Sequence, residues 1–480
     1  MSDPVETVSN EPEAPAPRPA APAGGGLLNR YVSRFGRTTL ILLAVIVAAG
    51  FLARAWFVVN PHSDPGDDAL AYRALAESLY DEGTYGGSEF KSASDWSPGA
   101  PLLYAASYYL TGGVRDGVAR GVEAVAGTAA IVVVFLLAAR LSQAVGGRRG
   151  GISESPPRDG PFAVAPLLAA ALVAFYPPFV DSAGSLMSEP PAYFLLPAGL
   201  LALFWAESRR DLLPWLLPGF LFGLTTLVRP EYMAVTAALG LLALIRVGVT
   251  VNWSKALPAF VLFGLAALLP VIPWTIHNYV TLDRVVPIST GSGKALFTGT
   301  YLPGDGEYKR VKSELLFDQT GERLEPGSSE LEAVDPVPLF DRVAEENYPE
   351  LDRDAALGRV GRENLDHYLS TDPLAYLGMT IRKVGRMWGT SSGGVMSSGI
   401  GALVQKLLVL TGLAGLALLA WRRRWEAAAL AVPVLGITAI GALTLAPPRR
   451  NEILMTLVLP LAAVAFTAVL DRFHSSESTS

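Results

Sequence analysis

A succession of long apolar runs restricts this chain more than any other feature. The first covers Thr39 to Val59, and others follow at about 118–142, 161–179, 190–207, 212–228, 231–248, 256–276, 401–421, 426–446 and 452–470. A helix needs roughly 20 mostly apolar residues to cross the hydrocarbon core of a bilayer. Lipid offers no partner to a backbone N–H or C=O, so each run must bond to itself as a helix. The expected fold is an all-α polytopic membrane protein with about ten transmembrane helices. With 51% hydrophobic and only 17% charged residues, the chain is not an ordinary soluble enzyme.

Charge gives the runs a direction. Arg30, Arg34 and Arg37 precede the first run, and Arg148 and Arg149 follow the second. Arg209 and Arg210, then Arg246 and Lys255, then Trp421-Arg422-Arg423-Arg424-Trp425 fill later turns on the same side. Basic turns stay in the cytoplasm, which puts both termini there. Residues 1–37, Pro- and Ala-rich at their start, read as a disordered tail without a signal peptide. Residues 38–276 read as a transmembrane core with a first external loop at 60–117. A large extracytoplasmic loop at 277–400, C-terminal helices at 401–470 and a cytoplasmic tail at 471–480 complete the division. The expected location is the cell membrane (plasma or inner), crossed many times, with any active site extracytoplasmic. There is no Cys, which rules out disulfides and thiolate metal sites. No basic patch with interleaved aromatics points to nucleic acid.

The external segments carry helical patterns of their own. Asp68, Tyr72, Leu75 and Leu79 share one helix face, closed by Gly83. Leu102 to Leu110 is apolar but too short to span. Leu357, Val360, Leu365 and Tyr368 suggest an amphipathic helix. Asp372-Pro373 starts another, with Leu374, Leu377, Ile381, Val384 and Trp388 opposite Arg382, Lys383 and Arg386. Such helices suit the membrane surface, lying parallel to it.

The unusual charges gather in the external loops. Asp64, Asp67 and Asp68 follow the first run, and Glu189 opens the fourth. Arg229 and Glu231 bound the next external turn. His277, Asn278 and Lys294 stand at the large loop, and Arg449 and Arg450 lie between the last two runs. Arginine on the outer side opposes the usual bias, and a phosphate explains it, since guanidinium binds phosphate oxygens in a planar fork. An Asp could then take the proton of an attacking hydroxyl while the arginines stabilise the leaving phosphate. Plainer roles compete. The Asp residues could cap the next helix, Arg229 could pair with Glu231, Arg449 or Arg450 could snorkel to lipid headgroups, and Glu189 could offset a helix dipole. His62 with Asp64 is weak support for a metal. Gly291-Ser292-Gly293-Lys294 lacks the spacing of a phosphate-binding P-loop.

Four stretches resemble the polytopic GT-C glycosyltransferases, close to the dolichyl-phosphate-mannose protein mannosyltransferase family (glycosyltransferase family 39). They are Gly66-Asp67-Asp68 with Tyr72, Leu75, Ala76 and Ser97-Pro98-Gly99-Ala100-Pro101-Leu102; Glu189 at a helix start; Pro273-Trp274-Thr275-Ile276-His277-Asn278-Tyr279 with Val286-Pro287-Ile288-Ser289-Thr290-Gly291 and Leu296; and Arg449-Arg450 before Leu454 and Pro460. The third resembles the start of that family's large external loop, where Arg is commoner than this His277.

The resemblance implies a helical bundle with external membrane-parallel helices over the active site, and a polyprenyl-phosphate-linked sugar as donor. The expected activity is therefore hexosyl or pentosyl transfer from that donor to an extracytoplasmic hydroxyl on protein, lipid or polysaccharide. Asp67 or Asp68 is the expected catalytic carboxylate. Asp64, Tyr72, Glu189, Arg229, Glu231, His277, Asn278, Lys294, Arg449 and Arg450 are the expected substrate-binding residues. No cofactor is required on this reading; a divalent metal is possible but nothing supports one. Membrane lipid and the acceptor are the other partners. The rivals are a transporter or flippase of a lipid-linked or anionic solute, and a non-catalytic scaffold. A transporter commonly shows paired halves and midplane sites.

Overall fold

The computed structural model describes residues 35–61, 66–86, 93–146, 164–209, 211–391 and 394–477. All regular structure among them is helical. The core opens with α1 (Arg37–Val59), and two external helices follow, α2 (Gly66–Asp81) and α3 (Gly99–Thr111). Then come α4 (Asp116–Val145), α5 (Val164–Phe175), the short α6 (Pro177–Asp181), α7 (Glu189–Glu207), α8 (Leu216–Val228), α9 (Tyr232–Thr250) and α10 (Trp253–Leu282). An external group comprises α11 (Ser292–Thr300), α12 (Tyr308–Thr320), α13 (Ser329–Ala333), α14 (Val337–Asn347), α15 (Arg353–Thr371) and α16 (Pro373–Gly389). The chain closes with α17 (Gly399–Trp421), α18 (Trp425–Leu443) and α19 (Arg449–Glu477).

Among the described residues, seven helices are long and apolar enough to cross a membrane: α1, α4, α9, α10, α17, α18 and the Arg449–Asp471 part of α19. An eighth span exists if α5 and the segment Pro177–Gly184, which meet at 55°, are taken as one. The count falls short of the expected ten because two segments fail on length or apolarity. Pro214 sits in a single 3-10 turn before α8, and Leu213–Val228 is a shorter apolar helix. The helix α7 opens on Glu189-Pro190-Pro191 and holds Pro197 inside. Nearly every residue of α7 is buried, so protein rather than lipid surrounds it.

Small residues let the bundle close. A Cβ on Gly219 or Gly223 of α8 would stand 2.2 or 2.3 Å from the carbonyl oxygens of Phe263 and Ala267 in α10. Only glycine permits backbones to approach so nearly. The external helices own a separate apolar core of Phe297, Val311, Leu315, Leu331, Phe340 and Leu357. Tyr72, Tyr104 and Tyr108 form another beneath α2 and α3.

The segments with amphipathic patterns between the apolar runs fold as helices. The helix α2 buries Tyr72 and Leu75 and gives way to Gly83 with φ 68°. The Asp372 side chain caps α16 by accepting from Ala375 N at 3.1 Å. On α16, Leu374, Leu377 and Ile381 are exposed while Lys383 and Met387 are buried. His277 and Asn278 do not open the large loop: α10 continues through them to Leu282, and Asp283 ends it at φ 52°.

Candidate active site

The site grows from helix ends. The starts of α2, α7, α9 and α19 and the end of α8 meet through their side chains. Glu189, 3% exposed, is the first residue of α7. It pairs with Arg229, which stands in extended conformation just past α8. Glu231, the residue before α9, lies 3.9 Å from Arg450. Arg450 also donates to Thr444 Oγ1 at 3.0 Å and to the Leu445 carbonyl. Arg449, one residue earlier, pairs with Asp68 in the first turn of α2. The Tyr72 hydroxyl, one turn further along α2, donates to Ser188 Oγ at 3.2 Å. Ser188 lies 3.4 Å from Glu189 Oε2.

Three arginines and three carboxylates thus converge from segments nearly 400 residues apart. Their fields overlap. Burial alone would lower the charge affinity of Arg229, but Glu189 and then Glu231 overrule it and hold the guanidinium protonated well above its ordinary range. Burial likewise favours neutral Glu231, yet Arg229 and Arg450 hold its carboxyl below the usual carboxylate value. The Tyr72 phenol is pushed up by burial, with Arg229 pulling the other way and Glu189 adding to the rise. Breaking one partner of such a buried pair strands a charge, at about 3–5 kcal/mol.

Not every expected residue reaches this cluster. Asp64 lies outside the described residues, and so does His62. Asp67 stands in the first turn of α2, but its side chain lies outside them too. His277 stacks on Trp274 at 4.6 Å and faces Tyr85 at 6.4 Å. Asn278 is occupied structurally, donating to the carbonyls of Val286 and Ile288, both at 2.9 Å. Lys294 stands between the cluster and the external helices, its ammonium 4.8 Å from the Phe340 ring centre and 5.3 Å from that of Tyr308. Burial lowers its pKa, against the pull of Asp95 and, more weakly, Asp68.

Several residues at the site escaped the sequence reading. Asp95 joins the external loops, accepting from Thr290 and pairing with Arg353, while Thr290 N donates to Ser94 O at 2.7 Å. Ser188 links Tyr72 to Glu189. Glu123 and Tyr104 lie behind them. An acid inside an apolar run is a functional pointer by default, and Glu123 falls within the run expected at 118–142. Ser188 and Asp95 carry no comparable signal. Among the described residues no group of three His, Cys, Asp or Glu side chains is placed to hold a metal ion.

No family model matches this chain, and no curated protein matches it. Solved structures do. The archaeal oligosaccharyltransferase AglB from Archaeoglobus fulgidus, in complex with an inhibitory peptide and a dolichol-phosphate, aligns with TM-score 0.54 and 16% identity. The alignment covers 92% of this chain and 51% of that one. The apo form of the Archaeoglobus fulgidus oligosaccharyltransferase gives the same values. The form tethered to an acceptor peptide containing the NVT sequon gives a TM-score of 0.52 at 16% identity, over 92% of this chain and 51% of that one. The chain spans about half the length of the solved structures it matches. At this identity the likeness is one of fold alone, and it is the all-helical architecture of many apolar helices that the sequence led us to expect.

Proposed function

We propose that the chain is a membrane glycosyltransferase that moves a sugar from a polyprenyl-phosphate-linked donor to a hydroxyl acceptor at the extracytoplasmic face. The observation that carries this reading is the convergence of Arg229, Arg449 and Arg450 with Asp68, Glu189 and Glu231 at helix ends. Arginines at a membrane boundary can hold a lipid phosphate whose chain stays in the bilayer. The acceptor oxygen attacks the anomeric carbon, the new C–O bond forms, and the bond from that carbon to the phosphate oxygen breaks. Asp67 or Asp68 takes the acceptor proton. The electron pair leaves on the polyprenyl phosphate, whose added charge the three arginines stabilise. Glu189 and Tyr72 line the sugar's side, and Lys294 faces the acceptor's side. The AglB complex supports the reading, because that protein holds a dolichol-phosphate on a similar helical scaffold.

The test is transfer by the full chain in nanodiscs, supplied with a panel of radiolabelled polyprenyl-phosphate hexoses and pentoses and with protein, lipid and polysaccharide acceptors. Wild type should label one acceptor class. Asp68→Asn or Arg229→Met should lose about 100-fold or more, the scale of one proton-transfer or charge-stabilising group. Undiminished transfer by Arg229→Met would overturn the phosphate assignment, and undiminished transfer by Asp68→Asn would leave Asp67 as the base.

A further inference from the structure

Glu123 is completely buried in α4, and its hydrogen-bond partners among the described residues are two backbone amides and a tyrosine hydroxyl. Its carboxylate accepts from Leu186 N at 3.2 Å and Met187 N at 2.8 Å, and from the Tyr104 hydroxyl. The same hydroxyl lies 2.7 Å from the Met187 carbonyl. Leu186 holds φ at 52°, a left-handed conformation that a branched side chain resists. A side chain that costs this much to bury has therefore been matched to a strained backbone turn, from whose two consecutive amides it accepts. The turn leads directly into Ser188 and Glu189. Ser188 accepts from Tyr72, and Glu189 pairs with Arg229.

We infer that Glu123, locked by Tyr104, is a positioning residue for the proposed transfer: it fixes the turn Leu186–Met187 so that Ser188 and Glu189 hold Tyr72 and Arg229 in place for the lipid phosphate. The inference rests on the function proposed above. Glu123 touches no substrate and acts through the Glu189–Arg229 pair. Its length matters, because the carboxylate must reach two consecutive amides from another helix. Gln keeps the length but sets an NH2 against one of those amides. Asp keeps the carboxyl group and falls one methylene short.

The test uses the full chain in nanodiscs and radiolabelled undecaprenyl phosphate as probe, with hydrogen exchange of the Leu186 and Met187 amides as a second readout. Glu123→Gln should raise exchange at those amides and weaken binding about tenfold, the scale of one buried hydrogen bond. Glu123→Asp should recover part of the loss. In a Glu189→Gln background the Glu123→Gln change should add little, because it acts through a pair already broken. A loss that is fully additive in that background and tracks a lowered melting temperature would show a merely structural role and overturn the inference. So would unchanged binding. Should Glu123→Gln fail to fold, Tyr104→Phe removes only the locking hydroxyl and carries the same expectations at smaller size. Wild type that binds no undecaprenyl phosphate overturns the proposed function itself, whereas wild type that binds while every variant binds equally overturns only the role of Glu123.

Discussion

Lys383 faces inward from α16, 1% exposed, and its ammonium donates to the Gly299 carbonyl at 2.7 Å. Gly306 makes room for it: a Cβ there would stand 2.6 Å from the lysine Cδ. Burial pushes the ammonium down to about 8, with Arg450 and Arg386 adding to the fall and Asp305 opposing it. An unfolded lysine keeps its proton to about 10.4. Between those values the unfolded chain binds a proton that the native chain has lost, so stability rises with pH across the window. Lys383→Met removes this term. The melting temperature of wild type minus that of the variant should therefore grow from about pH 7.5 to about pH 10. A flat difference would mean that the native lysine keeps its charge. The same residue shows what sequence could and could not reveal. Its helix was legible from apolar spacing, but its burial was not, because Lys383 sits beside Arg382 and Arg386 on what reads as a solvated face. Pairing was equally hidden. A pair between Arg229 and its neighbour Glu231 was one plain alternative, yet Arg229 pairs with Glu189 while Arg450 approaches Glu231. Partners 40 residues apart leave no periodic trace.

At the scale of elements, the break between α5 and α6 shows how a span can bend inside a membrane. Pro177 and Pro178 have no N–H, so the carbonyls of Val173 and Ala174 lose the donors that a continuous helix would supply four residues on. Arg54 of α1, fully buried, replaces both, donating to Val173 O and Ala174 O at 3.1 Å each and to Gly50 O at 2.9 Å. Gly127 of α4 leaves the space, since a Cβ there would stand 2.8 Å from Arg54 Nε. Arg54→Met should leave two carbonyls unpaired in an apolar interior, at about 1–3 kcal/mol each. The measurement is thermal unfolding in detergent, and a melting temperature equal to that of wild type would show that the bend needs no cap. The runs that became α1, α4, α17 and α18 were readable because lipid forces one pattern on them. The bend was not, since it depends on a residue more than 100 positions away. The end of α10 was misplaced because polar His277 and Asn278 look like loop, although Asn278 serves the loop from within the helix.

At the scale of the whole molecule, the two ends of the bundle differ in how they use charge. At one end Arg140 pairs with Glu426 at 2.9 Å and Arg246 with Glu207 at 3.1 Å, tying helices together beside the Arg422–Arg424 turn. At the other, paired acids and arginines face the external helices, and Arg353 clamps those helices to the first external loop through Asp95. The fold places these two groups at opposite ends; the charge bias alone says which end is outside. A sugar donor carried on a lipid and an acceptor beyond the membrane can meet only if the arginine cluster is external. The chain has no Cys, so single substitutions report sidedness without background. Ser208 and Ser329 are both exposed, at opposite ends. In intact cells a membrane-impermeant maleimide should label Ser329→Cys and spare Ser208→Cys until the membrane is opened. The reverse pattern would put Asp68 and the three arginines in the cytoplasm, and transfer to an extracytoplasmic acceptor would fall with it, even though every ion pair of the site stayed in place.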